Sequence, residues 1–409
     1  RATRVDVVSQ LKEGGNRLGG RRAGALDRAL ITAQIALALL LVMTGGLLTQ
    51  TLRNLRHMDA GFDSSQLLLV AVDARGTPYE RTAIDHLHPA MLDRVRRLPG
   101  VRSAALTSTA PVFGGNLWIS RVSTPGYVAA PEDDASAIVN PVTTGYFATA
   151  GIRLLRGRDF APGDGANSER LAIVSESFAR KFFPQQEALG NVVYVDERTV
   201  RVIGVAADAR YFDLREPERP LIYTSLLQSS GVDRFILMAR TTGEPNASAE
   251  LIRQELEAVA PGLSPRRSAA MEDAIADALV RERLGAILGM LFGAIALGLA
   301  ALGLYGVIAY SVAARTVEIG TRMALGARRG AVLWLVLRQS LVLMAIGVVL
   351  GIPLALTAAR ALGTQLFGVR PFDPLVLSVA LLVLGSTGLL ASILPARRAT
   401  QVDPITALR

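Results

Sequence analysis

The sequence contains no cysteine and only three histidines, which excludes several kinds of site at the outset. Without cysteine there is no disulfide, no thiolate nucleophile and no cysteine-ligated metal. Two of the histidines, His86 and His88, lie two positions apart. On a helix this spacing directs the two rings to different faces, so we expect no metal site.

The motifs of common enzymes are missing as well. Lys12 and Lys181 are the only lysines, and G-x-x-x-x-G-K-[ST] does not occur, so this sequence has no P-loop to cradle nucleotide phosphates. G-x-S-x-G and H-E-x-x-H are also absent. The short acidic run at 132–134 is best interpreted as a solvated loop. We therefore expect no catalytic, cofactor-binding or metal-binding residue, and no enzyme activity, in this chain.

The basic residues are abundant but confined to particular segments. The formal net charge is +9, and half of the residues are hydrophobic. Arginines concentrate at 17–28, 315–329 and 397–398, whereas the loop at 360–373 carries only two. Arginine clusters beside apolar runs mark cytoplasmic loops of membrane proteins. This distribution favours a membrane protein over a nucleic-acid-binding one.

Four apolar runs are long enough to cross a bilayer, which takes about 20 helical residues. We place transmembrane helices at 29–50, 284–314, 331–359 and 374–394. The second run contains glycines at i, i+4 and i+8, a pattern that predicts close packing of one helix face. These helix-packing glycines are Gly285, Gly289 and Gly293.

Two polar residues interrupt the apolar runs. For Gln34, in the first run, we expect an interhelical hydrogen bond, with a substrate contact as the alternative. Arg338, in the third run, is expected to extend its side chain to the cytoplasmic headgroups. The alternative for Arg338 is a role in packing or coupling.

The remaining segments follow from this topology. Residues 1–28 form a cytoplasmic amphipathic segment, 360–373 a short extracytoplasmic loop and 395–409 a cytoplasmic tail. The linker at 315–330 carries four arginines and one glutamate, and its apolar positions suit a short surface helix. A short ordered helix between two spans indicates a cytoplasmic partner.

The segment 51–283 is soluble in composition and lies outside by parity. A strand at 67–72, a helix at 79–98 and a strand at 101–108 form one βαβ unit. A strand at 234–239 and a helix at 247–260 begin a second. The fold class is therefore four transmembrane helices plus a large α+β extracytoplasmic domain, with split ferredoxin-like βαβ units. We expect an inserted subdomain at about 143–223, and a helix at 269–283 that continues directly into the second span.

The two ends of the sequence resemble each other. Residues 1–12 and 398–409 are identical at six of twelve positions without a gap. The second copy follows a transmembrane run, so we expect that the first copy followed one too. This pattern predicts that the chain is the second half of a duplicated membrane protein.

Several stretches resemble the MacB/FtsX-type permeases of ABC transporters. Residues 318–327 (EIGTRMALGA) are similar to that family's cytoplasmic coupling motif, and 395–399 (PARRA) with 403–409 to its C-terminal signature. The duplication points to the acidobacterial duplicated orphan permeases. The stretches similar to the family's outer domain are 144–147, 151–160, 172–180 and 189–190.

The resemblance implies a permease, in the bacterial inner membrane, that transmits ATP-driven motion to its periplasmic domain and exports or extrudes a substrate. It implies two partners: a nucleotide-binding ATPase subunit that binds the ATP, and a second permease module, either the upstream half of the same protein or another copy. The alternative is a signalling or scaffold protein that regulates an extracytoplasmic enzyme. The residues implied to contact the ATPase subunit are Glu318, Gly320, Arg322, Ala324, Leu325, Gly326 and Ala327.

Overall fold

The computed structural model describes residues 7–79, 82–127, 134–165, 168–215, 218–229, 231–263, 265–316, 321 and 329–399. The chain divides into two compact units. The membrane unit consists of Arg1–His57 with Arg281–Arg409, and the α+β unit, which we call the outer unit, is Met58–Val280. Each unit is described separately.

The first helix is longer than the sequence suggests. Helix α1 runs without interruption over Val7–His57, and its part Leu26–His57 is long and apolar enough to span a membrane. The described part of the predicted segment 1–28 is therefore continuous with the first span rather than a separate element. Proline is absent between residues 7 and 28, so no residue there lacks the N–H that the helical hydrogen bonds require.

The outer unit begins with half of a ferredoxin-like fold. Its elements are β1 (Leu67–Asp73), α2 (Thr82–Asp85), α3 (His88–Arg96) and β2 (Val101–Thr107). The predicted single helix at 79–98 is wrong, since α2 and α3 are separate helices. Pro89 occupies the first turn of α3, where its missing N–H costs nothing, whereas inside a continuous helix it would break a hydrogen bond.

An inserted segment follows β2 and is mostly strand. It contains β3 (Thr109–Ala110), β4 (Gly114–Gly115), β5 (Trp118–Ser123), β6 (Ser136–Val142), α4 (Tyr146–Ala150), β7 (Leu154–Gly157), β8 (Leu171–Ser175), α5 (Glu176–Phe182), β9 (Val192–Val195), β10 (Arg198–Ala206), β11 (Leu221–Ser225) and a 3-10 helix at Leu226–Gln228. The ferredoxin-like half then resumes with β12 (Arg234–Thr241), a 3-10 helix at Pro245–Ser248, α6 (Ala249–Val259), β13 (Pro265–Ala270) and α7 (Met271–Ala278).

The strand order confirms the split ferredoxin-like domain. Strands β2, β12, β1 and β13 lie side by side in that order, and each neighbouring pair is antiparallel. Strand β1 is buried on both faces: Leu68 and Val70 pack among the residues of α3 and α6, and Leu67 and Leu69 pack towards α4 and α7. Burial on both sides explains why β1 is a continuous apolar run rather than an alternating one.

The inserted strands close into a ring. Strand β6 pairs with β11, and the ring returns to β6 through β8, β10, β9 and β5. A closed sheet has no free edge to pair with other chains. The predicted insertion at 143–223 is too narrow, because β5 and β6 are needed to close the ring. The insertion extends over 109–228.

The predicted continuous helix at 269–283 is also wrong. Residues 265–270 form β13, which pairs with the open edge of β1. Helix α7 then ends where the Leu279 N–H bonds back to the carbonyls of Ile275 and Asp277. Edge pairing with β1 is a long-range contact, and such contacts override local helix preference.

The long described helices that follow are α8 (Val280–Ala314), α9 (Arg329–Ala361) and α10 (Pro374–Ala399). The parts apolar and long enough to span are Val280–Ala314, Leu333–Ala361 and Pro374–Arg397. With α1 they confirm the four predicted spans. A buried cluster made of residues from all four helices forms the core of this unit, and includes Leu39, Leu304, Leu343 and Leu384.

Candidate functional site

The predicted coupling residues lie outside the described part of the chain. Glu318, Gly320, Arg322, Ala324, Leu325, Gly326 and Ala327 all fall within 317–320 and 322–328, which the structure does not describe. The helices on either side are described: α8 ends at Ala314, and α9 begins at Arg329.

One side-chain hydrogen bond joins the two helices near the linker. The Ser311 hydroxyl of α8 donates to the Gln339 Oε1 of α9 at 3.2 Å. The next residue before Gln339, Arg338, has an exposed side chain. A polar bond between spans is favourable where water is scarce, so this pair links α8 to α9 within the membrane unit. Sequence reasoning missed the pair, because Ser311 and Gln339 are 28 residues apart.

The three glycines of α8 face α1. A Cβ added at Gly289 would lie 2.8 Å from the Cα of Gly45, and one at Gly293 would lie 3.4 Å from the Cα of Val42. A Cβ at Gly285 would reach only the Leu48 side chain, at 3.8 Å. The closest approach of the two backbones is therefore at the pair Gly45 and Gly289, where a side chain on either helix would push the helices apart.

A second pair of close-packing glycines was missed. Gly347 and Gly351 of α9 also lie against α1, where a Cβ would come 2.5 Å from Ile35 and 3.1 Å from Ala36. Their G-x-x-x-G spacing is the same signal that singled out the α8 glycines. The sequence therefore contained enough information to predict this second contact.

Among the described residues Gln34 makes no interhelical hydrogen bond, contrary to the prediction. Its side chain lies against Gly303 of α8, where an added Cβ would be 2.7 Å from Oε1. Gln34 Oε1 is buried and has no hydrogen-bond partner among the described residues. Glycine at 303 leaves space for the amide but supplies no side-chain donor, which explains why the expected bond is missing.

In the outer unit, the stretches that resemble the family's outer domain contain residues that cap helices, allow close backbone packing or lie in the core. Gly145 (φ +81°) caps α4, and Gly157 (φ +79°) lies so close to β10 that a Cβ would meet the carbonyl oxygen of Ile203. The Ser175 hydroxyl caps α5 by accepting from the Phe178 N–H. Tyr146 and Phe147 are fully buried. These residues set the shape of the ring rather than line a reactive site.

A buried polar network joins the ring to the ferredoxin-like half. The Tyr146 and Tyr211 hydroxyls share a hydrogen bond of 2.5 Å, and Asn140 Nδ2 donates to the Tyr211 hydroxyl at 3.4 Å. Asn140 Oδ1 accepts from the hydroxyl of Thr107 on β2 at 2.9 Å. Burial raises the pKa of Tyr146, so this hydroxyl remains protonated and serves as a hydrogen-bond partner rather than a base.

The lowered pKa of the Asp73 carboxyl also has a structural explanation. Asp73, at the end of β1, bonds to Arg75 at 2.8 Å and lies 3.3 Å from Arg266. The hydrogen bond from Arg75 lowers the pKa of Asp73 to about 2. Within the described residues, no group of three or more His, Cys, Asp or Glu side chains is placed to hold a metal ion.

The architecture defines a class of protein: a four-span membrane protein with a large α+β domain outside the bilayer. The MacB-like periplasmic core domain family matches residues 29–259, and the FtsX-like permease C-terminal family matches residues 290–404. The chain therefore belongs to the MacB/FtsX-type ABC transporter permeases. Its four apolar helices lie in the inner membrane, and its α+β domain lies in the periplasm.

Individual relatives agree with this family. The uncharacterized ABC transporter permease YknZ of Bacillus subtilis is 27% identical over 68% of this chain and 71% of its own length. The macrolide export ATP-binding/permease protein MacB of Chromobacterium violaceum is 28% identical over 76% of this chain and 53% of its own length. The chain thus spans about half of the length of that MacB relative.

Two solved structures are also similar to part of this chain. The periplasmic region of MacB from Actinobacillus actinomycetemcomitans is 14% identical, covers 56% of this chain and 97% of its own, and has a TM-score of 0.38. The extracellular domain of YknZ is 17% identical, covers 47% of this chain and 91% of its own, and has a TM-score of 0.32.

Proposed function

We propose that this chain is the membrane-spanning subunit, or half, of an ABC transporter that passes ATP-driven motion to its periplasmic domain and exports or extrudes a substrate. The observation that carries the proposal is the match of both family domains to one chain that has four spanning helices. This sequence has no P-loop, so ATP is bound by a separate nucleotide-binding subunit or domain. The chain itself is a transport component without enzyme activity.

The coupling element in this proposal is the linker between α8 and α9. The residues assigned to the contact with the ATPase subunit are Glu318, Gly320, Arg322, Ala324, Leu325, Gly326 and Ala327. Support comes from the resemblance of 318–327 to the family's coupling motif and from the Ser311–Gln339 bond, which ties the flanking helices. A partner that moves the linker would therefore move both helices together.

Motion reaches the periplasmic domain through the two chain connections. One is the segment that follows His57, where α1 ends, and the other is Leu279, the single residue between α7 and α8. Residues 284–312 of α8 carry no charged side chain. A transporter that moves polar substrates through its spans needs polar groups inside them. The predicted spans contain no acidic residue and no histidine, and Arg338 is their one charged residue. Spans this poor in ionisable groups instead favour a lever that acts on substrate in the periplasm.

A second permease module is the other proposed partner. The similarity between residues 1–12 and 398–409 supports an upstream half, as in the acidobacterial duplicated orphan permeases, and another copy of this chain is the alternative. A signalling role is the second candidate function, because the C-terminal match is to FtsX-like permeases. The two functions differ in whether paired periplasmic domains enclose a cavity that admits cargo.

The proposal is tested by co-purifying the chain with candidate nucleotide-binding subunits and measuring ATP hydrolysis with and without it. Gly326→Arg should abolish both the association and the change in ATPase rate. Gly363→Arg is the matched control: it adds the same charge on the periplasmic side, where a Cβ meets no atom within 4 Å. A folded chain that binds no such subunit, or equal effects of the two variants, would contradict the proposed coupling.

A further inference from the structure

The membrane unit contains an open groove between α1, α8 and α10, in the periplasmic half of the bilayer. We call it the outer-leaflet groove; its volume is about 670 Å³, within the range of ~300–1,000 Å³ that small-molecule sites occupy. Its walls are mostly apolar and include Val42, Met290, Leu297, Val379 and Val383. Water is a poor filler for an apolar space inside a bilayer, because it finds no polar partners there. We therefore expect a hydrocarbon chain, rather than water, to occupy the groove.

The length of the groove matches one leaflet. Along α1 it extends from Val42 to Asn54, twelve steps of about 1.5 Å, or about 18 Å. Half of a hydrocarbon core is about 15 Å, and the headgroup region begins beyond it. One end of the groove thus lies near the bilayer midplane and the other at the periplasmic interface.

The interfacial end is polar, and some of its groups lack partners. Gln50, Arg53 and Asn54 line this end. Asn54 Nδ2 is engaged by the carbonyl of Gly368 at 3.1 Å. The Arg53 side chain is exposed, and it forms no ion pair with any described residue. It is therefore available to an anion.

In the side-chain amide of Gln50, the nitrogen has a hydrogen-bond partner and the oxygen has none among the described residues. Its Nε2 donates to Asp373 Oδ2 at 3.1 Å, whereas its Oε1 is buried and has no hydrogen-bond partner among the described residues. Asp373 is held in place, because its Oδ1 accepts from the backbone N–H groups of Leu375 and Val376. A buried acceptor without a donor is costly. A donor with positive charge would suit both Gln50 Oε1 and the neighbouring carboxylate.

We propose that the outer-leaflet groove binds a glycerophospholipid whose headgroup carries a phosphate and a primary ammonium, as in phosphatidylethanolamine. The phosphate lies beside Arg53, the ammonium donates to Gln50 Oε1 next to Asp373, and an acyl chain runs along Val379 and Val383. Phosphatidylcholine has the same phosphate and net charge but no N–H donor. The groove therefore prefers the primary amine. This inference requires the membrane unit alone and is independent of any ATPase partner.

The experiment uses the full chain, purified in detergent and stripped of lipid. Equal amounts of phosphatidylethanolamine and phosphatidylcholine with identical acyl chains are added, and native mass spectrometry counts each retained lipid. We expect about a tenfold preference for phosphatidylethanolamine, which corresponds to one charge-assisted hydrogen bond. Gln50→Leu should reduce the preference to about one, and Arg53→Gln should weaken retention of both lipids.

Matched variants separate the groove from the rest of the lipid-facing surface. Val379→Trp fills the groove and should remove the retained lipid, whereas Leu382→Trp, on the same helix but outside the groove and 71% exposed, should not. Arg56→Gln is the control for Arg53→Gln, since Arg56 is exposed and does not line the groove. Size-exclusion profiles verify that every variant is folded.

Three results would overturn the inference. Equal retention of the two lipids by the unmodified chain would contradict the proposed preference for a headgroup with a primary ammonium. Equal effects of the two tryptophan variants would show that lipid binds the general surface. A photo-crosslinker at Val379 that joins two copies of the chain, rather than chain to lipid, would show that a second copy fills the groove.

Discussion

At the scale of single residues, the buried side chain of His88 is notable because one of its ring nitrogens lacks a hydrogen-bond partner among the described residues. His88 lies at the start of α3 with 2% of its surface exposed, and its ring meets Phe235 edge-on at 4.8 Å. Its Nε2 has no hydrogen-bond partner among the described residues. This environment favours the neutral ring, because a buried imidazolium would lack both water and a counter-charge.

We predict that His88 makes the periplasmic domain less stable in mild acid. Burial lowers the pKa of His88 to about 4 from 6.5, so the unfolded chain takes up a proton first as the pH falls. The loss begins below about pH 6.5 and amounts to about 2 kcal/mol between pH 7 and pH 5. Hydrogen exchange of β12 amides in the full chain, recorded between pH 7 and pH 5, measures this loss of unfolding free energy. His88→Leu should flatten this part of the pH profile, and His86→Leu, at an exposed site, should not.

The tyrosine network gives a second prediction at this scale. The Tyr211 hydroxyl contacts Tyr146, Asn140 and Tyr223, whereas the Tyr223 hydroxyl bonds to one of the described residues, Tyr211, at 3.4 Å. Tyr211→Phe should therefore cost about 1–3 kcal/mol of unfolding free energy, because it leaves buried groups unsatisfied. Tyr223→Phe should cost less. Denaturant midpoints for the two variants compare them, and a larger loss for Tyr223→Phe would contradict the assigned network.

At the scale of elements, the contact between α1 and α8 depends on glycine. Where Gly45 and Gly289 meet, an added Cβ would lie 2.8 Å from backbone atoms of the other helix, closer than real Cβ contacts. The helices would have to separate, and packing over several turns would weaken. Gly298 of the same helix has open space around it, so glycine is not required there.

We therefore predict that Gly289→Leu destabilises the membrane unit by about 1–3 kcal/mol, a cost typical of overpacking. Gly298→Leu should be neutral or slightly stabilising, since leucine is the better helix former. Thermal unfolding in detergent, with the protease resistance of α8 as the readout, distinguishes the variants. Equal behaviour of the two would show that the close approach at Gly45 does not contribute to stability.

At the scale of the whole molecule, the outer unit has its own apolar cores. The three buried clusters of this unit consist only of residues between 58 and 280. Two of them also contain residues from both the first and the second ferredoxin-like segments. A domain that buries its core within itself has what it needs to fold without the membrane.

We predict that a fragment of residues 58–280 is soluble and unfolds cooperatively. A fragment that ends at residue 264 should not, because it lacks β13, which covers the edge of β1, and α7, which buries Met271 and Ala274. Circular dichroism during urea titration compares the two fragments. A non-cooperative transition for 58–280 would mean that the membrane unit is needed to complete its fold.

Sequence alone determined the features that depend on local composition. The four spans, their orientation and the soluble segment follow from apolar length and arginine placement, because the bilayer selects these properties directly. The two βαβ units were recognisable for a similar reason, since a doubly buried strand such as 67–72 must be apolar throughout. The packing of the α8 glycines against α1 could be anticipated as a contact, although the sequence did not name the partner helix.

Only the tertiary structure decided the features that depend on distant partners. Strand β13 exists because β1 offers an open edge, and this pairing makes residues 269 and 270 part of a strand where the sequence predicted the start of a helix. The ring closes because β6 meets β11, about 80 residues later, and no local pattern encodes such a pairing. The unpartnered Gln50 Oε1 became visible only when α1 and α10 were placed side by side. Sequence patterns report the preferences of a segment, whereas pairing and burial depend on which segments meet.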